Sequence, residues 1–234
     1  MNPLILPTPF LCFGHRGAAG HEPENTLRSI RTALSLGAHG IEIDVRLASG
    51  HLVVIHDSTL GRTTNGHGFV ARKSLDQLRQ LDAGLGEIIP TLREVFHTIN
   101  RRALINIELK GPHTAAPVEA LILEFIENHH WSFSDFLVSS FHKSQLRSIQ
   151  DHRIPIGLLI TRPSPRSILT AQRLRASSIH LALPFASKNF IDAAHQKNLH
   201  VFVYTVNHPH DIAHLQSIGA NGVFTDFPER ALHP

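Results

Sequence analysis

The segment GHRGAAGHEPENTL, residues 14–27, crowds His15, Arg16, His21, Glu22, Glu24 and Asn25 into one glycine-rich turn at the end of an apolar run. Two more polar sets follow. GIEIDVRL (40–47) carries Glu42, Asp44 and Arg46, and INIELK (105–110) carries Asn106, Glu108 and Lys110. Between them LVVIHD (52–57) brings His56. Three carboxylates in one confined space repel: at ~4 Å, like charges cost about 4 kcal/mol at an effective dielectric near 20. Protons or a cation must offset that repulsion. An all-oxygen set suits a hard divalent ion, Mg²⁺ or Ca²⁺. The alternative is a structural network in which Arg16, Arg46 or Lys110 pairs with each carboxylate. Alternating carboxylates on two separate strands favour the ion. His15 and His56 change charge near neutrality, which suits a general base and a general acid. Arg16 and Lys110, beside a divalent ion, fit a phosphate clamp.

Strand periodicity places these groups. Side chains on a strand alternate faces. Ile41, Ile43, Val45 and Leu47 therefore share one face, and Glu42, Asp44 and Arg46 the other. Ile105, Ile107 and Leu109 likewise oppose Asn106, Glu108 and Lys110. Eight short strands are expected, at 10–15, 40–45, 103–109, 136–141, 155–160, 178–183, 200–206 and 222–226, alternating with amphipathic stretches such as ENTLRSIRTALSLG. Leu27, Ile30, Ala33, Leu34 and Leu36 keep largely to one stripe there, with Gly37 as the stop. The pattern predicts an α/β fold, a parallel (β/α)₈ barrel. The apolar sets then face the outer helices and the polar sets face the lumen.

LVVIHD breaks the alternation. Too few residues separate it from the preceding strand for a parallel crossover, so it should fold back as an antiparallel hairpin. With the turn near Ser49, His56 lands opposite positions 42–44. Residues 58–90 then form a small cap-like insertion after the second strand. PENT (23–26) is expected to start the first helix, with Glu24 or Asn25 as its cap and a side chain available to steady the turn against the carboxylates.

Composition narrows the class. The chain has 234 residues, 42% hydrophobic and 18% charged, with a formal net charge of +3. It reads as one domain over 1–234. No basic run with interleaved aromatics points to nucleic acid, and no apolar run spans a membrane. Removal of a signal peptide would leave no room before His15, so the sequence suggests the cytoplasm. The lone Cys12 excludes an intramolecular disulfide and reads as a small core side chain. Nineteen histidines identify nothing by count; His21, His39, His51 and His67 lack the joint placement of His15 and His56. Oligomeric state is not readable.

Taken together, GHRGAAGHEPENTLRS, GAHGIEIDVRLASGHLVVIHDSTLGRTTNGHG, IPTLREV, INIELK, VSSF, YTVN and GVFTDFP resemble the glycerophosphodiester phosphodiesterases, in order and over nearly the whole chain. The resemblance implies a TIM barrel that hydrolyses glycerophosphodiesters, such as glycerophosphocholine or glycerophosphoethanolamine, to glycerol 3-phosphate and an alcohol. It implies His15 and His56 as the acid–base pair, Glu42, Asp44 and Glu108 as ligands of one divalent ion (Mg²⁺ or Ca²⁺), and Arg16 and Lys110 as phosphate contacts. Phe141 and Tyr204 would line the alcohol or glycerol subsite; the family often has Trp where this chain has Tyr204. Related alternatives are a lysophospholipase D-like or sphingomyelinase D-like enzyme on lipid substrates, and a catalytically silent ligand-binding barrel.

Overall fold

The computed structural model describes residues 10–232; the apolar stretch at 1–9 lies outside them. Eight strands pair in parallel and close on themselves: β1 (Leu11–His15), β2 (Gly40–Ala48), β4 (Leu104–Leu109), β5 (Phe136–Ser140), β6 (Ile156–Ile160), β7 (Ser178–Ala182), β8 (His200–Tyr204) and β9 (Gly222–Thr225), with β9 returning to β1. The expected (β/α)₈ barrel is therefore present, with each strand within a few residues of its predicted place. β3 (His51–Val54) pairs antiparallel with β2. Ser49 and Gly50 both take positive φ, 46° and 83°, the twist that a two-residue hairpin between right-twisted strands demands. Val45 faces Val54 and Ala48 faces His51, so the chain continues to His56 beside position 43.

The helices lie between the strands. α1 (Leu27–Ser35), α2 (Leu75–Arg79), α3 (Leu92–Ile99), α4 (Ala115–Asn128), α5 (Lys143–Arg147), α6 (Ser167–Arg173), α7 (Lys188–His195), α8 (Pro209–Ser217) and α9 (Glu229–Leu232) follow in chain order. Among the described residues no helix is long and apolar enough to cross a membrane. The cap of α1 is Thr26, not Glu24 or Asn25. Thr26 holds extended φ/ψ, and its side chain accepts from the Ser29 N–H. Asn25 sits at φ 59° with its amide committed to Asp44, and Glu24 is taken by arginines. Gly37, at φ 87°, ends α1 as predicted; its N–H and that of Ala38 cap the Leu34 and Ala33 carbonyls.

The strand faces divide as the alternation requires. Ile41, Ile43, Val45, Ile105, Ile107 and Leu109 are fully buried in the outer layer against the helices. The lumen has two layers. Leu11, Phe13, Leu137, Phe202 and Phe224 fill it with an apolar plug. Phe13 stacks on Phe224 with centroids 4.8 Å apart and meets the edge of Phe202 at 5.2 Å. Each buried phenyl of this kind contributes roughly 1.5–3 kcal/mol. The polar residues lie toward the C-terminal strand ends. Residues 58–90 build their own small core, in which Leu60, Val70, Leu78 and Ile89 pack beneath Val53 and Ile55.

One lumen residue requires a gap in its neighbour. His180 on β7 is completely buried, and a Cβ placed on Gly157 of β6 would come within 2.5 Å of its Nε2. Gly157 is thus the space in which the imidazole sits. Gly157→Ala is expected to cost about 1–3 kcal/mol of stability through overpacking, and combining it with His180→Ala should recover part of that loss. Denaturant unfolding of the two single variants and the double variant measures the coupling; additive losses would refute it.

Candidate active site

The C-terminal ends of β1, β2, β4, β8 and β9 converge on a cavity of about 290 Å³. His15, Arg16, Glu42, His56, Glu108, Lys110, Phe141 and Tyr204 all line it. Asp44 lies just behind, in contact with three of them through charge. All nine residues singled out in the sequence therefore come together. The three carboxylates are 4%, 1% and 8% exposed at Glu42, Asp44 and Glu108. One oxygen from each lies within 4.8 Å of the others. That separation is no larger than two oxygens would span across a calcium-sized ion with bonds of ~2.4 Å. The donor set is all oxygen and anionic, so it fits a hard divalent cation.

Removal from water sets the charge states. Burial, reinforced by the Asp44 charge, pushes the Glu42 carboxyl up to about 8. Glu108 is raised for the same reasons, against the pull of Lys110. Burial also acts to raise Asp44, but Arg16, Lys110 and His56 together overcome it, and its carboxyl is held below the ordinary range. Arg16 Nε stands 3.2 Å from Asp44 Oδ2, and Lys110 Nζ stands 2.9 Å from Glu108 Oε1 and 3.7 Å from Asp44 Oδ1. Two of the three suggested pairings are thus present. Arg46 makes none; its Nε donates to the His56 carbonyl at 2.9 Å.

The first turn is built around these groups. Arg16 takes φ 53° and Gly17 φ 86°, which turns the Arg16 N–H onto Glu42 Oε2 at 3.0 Å. Asn25 brackets Asp44 from both sides: its amide donates to Oδ2 at 2.9 Å, and its carbonyl accepts from the Asp44 N–H at 3.2 Å. This is the steadying contact expected of PENT. Arg16 Nη1 donates to Glu24 at 2.8 Å, and Arg62, from the insertion, grips both Glu24 and Asp57.

Each histidine has a carboxylate behind it, Asp226 for His15 and Asp57 for His56, a pairing that strand periodicity does not reveal. His15 Nδ1 donates to Asp226 Oδ1 at 2.7 Å. Asp226 Oδ2 accepts from Asn207 Nδ2 at 2.6 Å, and the Asp226 N–H donates back to Asn207 Oδ1. His56 Nδ1 donates to Asp57 Oδ1 at 2.6 Å. The two imidazoles differ. Burial lowers His15, but the Asp226 hydrogen bond and the Glu42 charge outweigh it and hold the ring above its usual value. Burial dominates at His56, which lies below its usual value despite Asp44 and Asp57. The available signal was a carboxylate at a strand end, Asp226 closing GVFTD beside the strand that ends in His15. At the rim Phe141 meets Tyr204 edge-on at 6.0 Å. Lys110 Nζ lies 5.9 Å over the Phe141 ring. Tyr204 donates to the Ile160 carbonyl at 3.0 Å.

Comparison with known proteins follows from this geometry. The Glycerophosphoryl diester phosphodiesterase family model matches residues 15–230. A glycerophosphodiester phosphodiesterase of Caldanaerobacter subterraneus subsp. tengcongensis is 35% identical, over 95% of this chain and 96% of that protein. One from Bacillus altitudinis is 35% identical, over 94% and 96%. An Oleispira antarctica phosphodiesterase, solved in complex with the product sn-glycerol-3-phosphate, superposes with a TM-score of 0.88 at 30% identity, covering 95% of each chain.

The Glu42 shift gives a stability signature. Between its ordinary value of 4.5 and about 8, the folded metal-free chain retains a proton that the unfolded chain has released. Stability therefore falls as pH rises through that window. A divalent ion bound by the three carboxylates would displace the proton and remove the penalty. The gain in thermal midpoint from Mg²⁺ or Ca²⁺ over EDTA is expected to grow from roughly pH 5 to pH 8. Differential scanning calorimetry across that range checks it; an increment independent of pH would count against a proton-competitive site.

Proposed function

The chain belongs to the glycerophosphoryl diester phosphodiesterase family, and from that premise we propose how its own residues carry out the hydrolysis. Its activity is that of a glycerophosphodiester phosphodiesterase. In our reading Glu42, Asp44 and Glu108 hold one divalent ion, Mg²⁺ or Ca²⁺, which when bound supplies Lewis-acid polarisation of a phosphate oxygen. Arg16 and Lys110 contact the non-bridging oxygens. Arg16 rests on Asp44, and Lys110 on Asp44 and Glu108; with a divalent ion held by those carboxylates, both side chains would be available to a phosphate.

His15 and His56 carry the protons. One takes a proton from the nucleophile, either water or the substrate's own 2-hydroxyl by way of a cyclic phosphate. The other gives a proton to the leaving alkoxide. Asp226 and Asp57 fix which ring nitrogen bears hydrogen: each accepts from Nδ1, so Nε2 is the atom left to work. The opposite displacements of the two rings favour the state with one imidazole protonated and the other neutral, which acid–base catalysis by a pair requires. Phe141 and Tyr204 form the wall of the alcohol subsite, and the substrate class is a small glycerophosphodiester such as glycerophosphocholine or glycerophosphoethanolamine. The cytoplasm remains our placement for this chemistry.

The observation that carries this reading is the convergence of three buried carboxylates with two carboxylate-backed histidines on one cavity. The decisive experiment is release of glycerol 3-phosphate from a panel of head groups, with and without chelator. EDTA should abolish turnover, and Mg²⁺ or Ca²⁺ should restore it. His15→Ala and His56→Ala should each reduce kcat/KM on the order of 10²-fold or more; near-normal rates in both would exclude the assignment. Asp226→Asn removes the main interaction that raises His15. It should therefore move the limb of the pH–rate profile set by His15 to lower pH while the other limb stays in place.

A further inference from the structure

The end of the barrel opposite the acidic layer has a charge distribution that the hydrolysis does not use. The segments just before β6, β7, β8 and β9 surround a cavity of about 980 Å³. A smaller one of about 150 Å³ adjoins it, with His152, Ile154 and Arg175 as shared walls. The catalytic groups sit toward the C-terminal strand ends, and these residues precede the N-terminal ends, so the two sites open at different faces. Small-molecule sites usually occupy about 300–1,000 Å³.

The cavity walls combine an apolar surface with unbalanced positive charge. Pro155, Ala176 and Leu199 line the larger space, and Ile149 and Leu174 the smaller. Arg147, Arg173, Arg175 and Lys197 stand around them. All four are exposed, and among the described residues none of them makes an ion pair; the neighbouring pairs are Arg153–Asp151 and Lys188–Asp192. The one carboxylate in the lining, Asp151, is held by Arg153 at 2.6 Å. Glu119, beneath it, is committed to the N–H groups of Gln150 and Asp151. Among the described lining residues no other acidic side chain stands beside the four.

Arg175 lines both cavities and takes φ 58° just after α6, a position where glycine carries no steric cost. A concave surface with one sign of charge and low-dielectric walls concentrates counter-charge. The apolar walls favour a ligand with a hydrophobic or aromatic body.

We propose that this cleft binds an organic phosphate, a multiply charged phosphate group on an apolar or aromatic body, independently of the catalytic mouth. Nucleotides and lipid-derived phosphates share that chemistry. Calorimetric titration with inorganic pyrophosphate, ADP and a short-chain lysophosphatidic acid kept below its micelle concentration distinguishes them. One organic probe is expected to bind about tenfold or more tighter than pyrophosphate at 150 mM NaCl, a difference of about 1.4 kcal/mol, and the tighter of the two identifies the source. The Arg175→Gln, Lys197→Gln double variant should lose that binding by a similar factor while its turnover of glycerophosphodiester is unchanged. Arg175→Lys, which keeps the charge, should retain binding, and Arg16→Ala at the catalytic mouth should leave it intact. The proposal is overturned if no probe binds, if the double variant binds as well as the parent, or if only Arg16→Ala abolishes binding. Equal affinity for all three probes, vanishing at 150 mM NaCl, would mean a diffuse cationic surface and would also overturn it.

Discussion

Glu42, Asp44 and Glu108 bring three carboxyl groups within 4.8 Å of one another in a lumen that excludes most water. At such distances ionised carboxylates repel by several kcal/mol, and the surrounding structure answers that repulsion at every available point. Glu42 responds by protonation. Asp44 stays charged because Arg16, Lys110 and Asn25 face it. Glu108 draws in Lys110. Each response is one that a divalent ion would replace, so proton, ammonium and guanidinium act as interchangeable counter-charges. The conformation of the first turn follows from the same need: positive φ at Arg16 and Gly17 aims a backbone N–H at Glu42 that no regular strand end would supply.

The two histidines work from the edges of this acidic layer, and their environments are not equivalent. His15 is tied to β9 and the Asn207 loop through Asp226, so its geometry depends on barrel closure. His56 is tied to its own neighbour Asp57, which Arg62 fixes from the insertion. The setting of His15 therefore depends on the joining of the first and last strands, and that of His56 on the packing of residues 58–90. A disturbance in the insertion reaches His56 through Arg62 and Asp57 without touching any carboxylate of the acidic layer.

What could be read in the sequence was what local periodicity encodes. A strand alternates faces, so GIEIDVRL and INIELK gave the inward carboxylates directly, and a two-residue turn fixed the register that carries His56 toward them. The partners of the histidines obey no local rule. Asp226 lies 211 positions from His15, and only the pairing of β9 with β1 brings them together. Misplacement of the α1 cap has a related cause. Asn25 is a good cap by type, but tertiary contact with Asp44 recruits its side chain, and Thr26 takes the role. His180 shows the same limit: nothing in SIHLAL says that Gly157, on the preceding strand, leaves the room that an imidazole needs.

Beneath the acidic layer the lumen changes character within two residue positions along β1 and β8. Phe13 precedes His15 by two positions on β1, and Phe202 precedes Tyr204 on β8. Phe224 stacks against Phe13 and tilts against His180, which burial keeps neutral by lowering its value to about 3. An uncharged, closely packed layer directly under three carboxylates admits no counter-ion from below. Compensation must then come from the mouth, where Arg16, Lys110, the histidines and any bound cation are found. This one-sided access accounts for the charged groups of the site lying toward the C-terminal strand ends, while Asn106 and the neutral His180 line the cavity floor from mid-strand. The exposed cations around Arg175 and Lys197 precede the N-terminal strand ends, on the far side of that apolar layer from the three carboxylates.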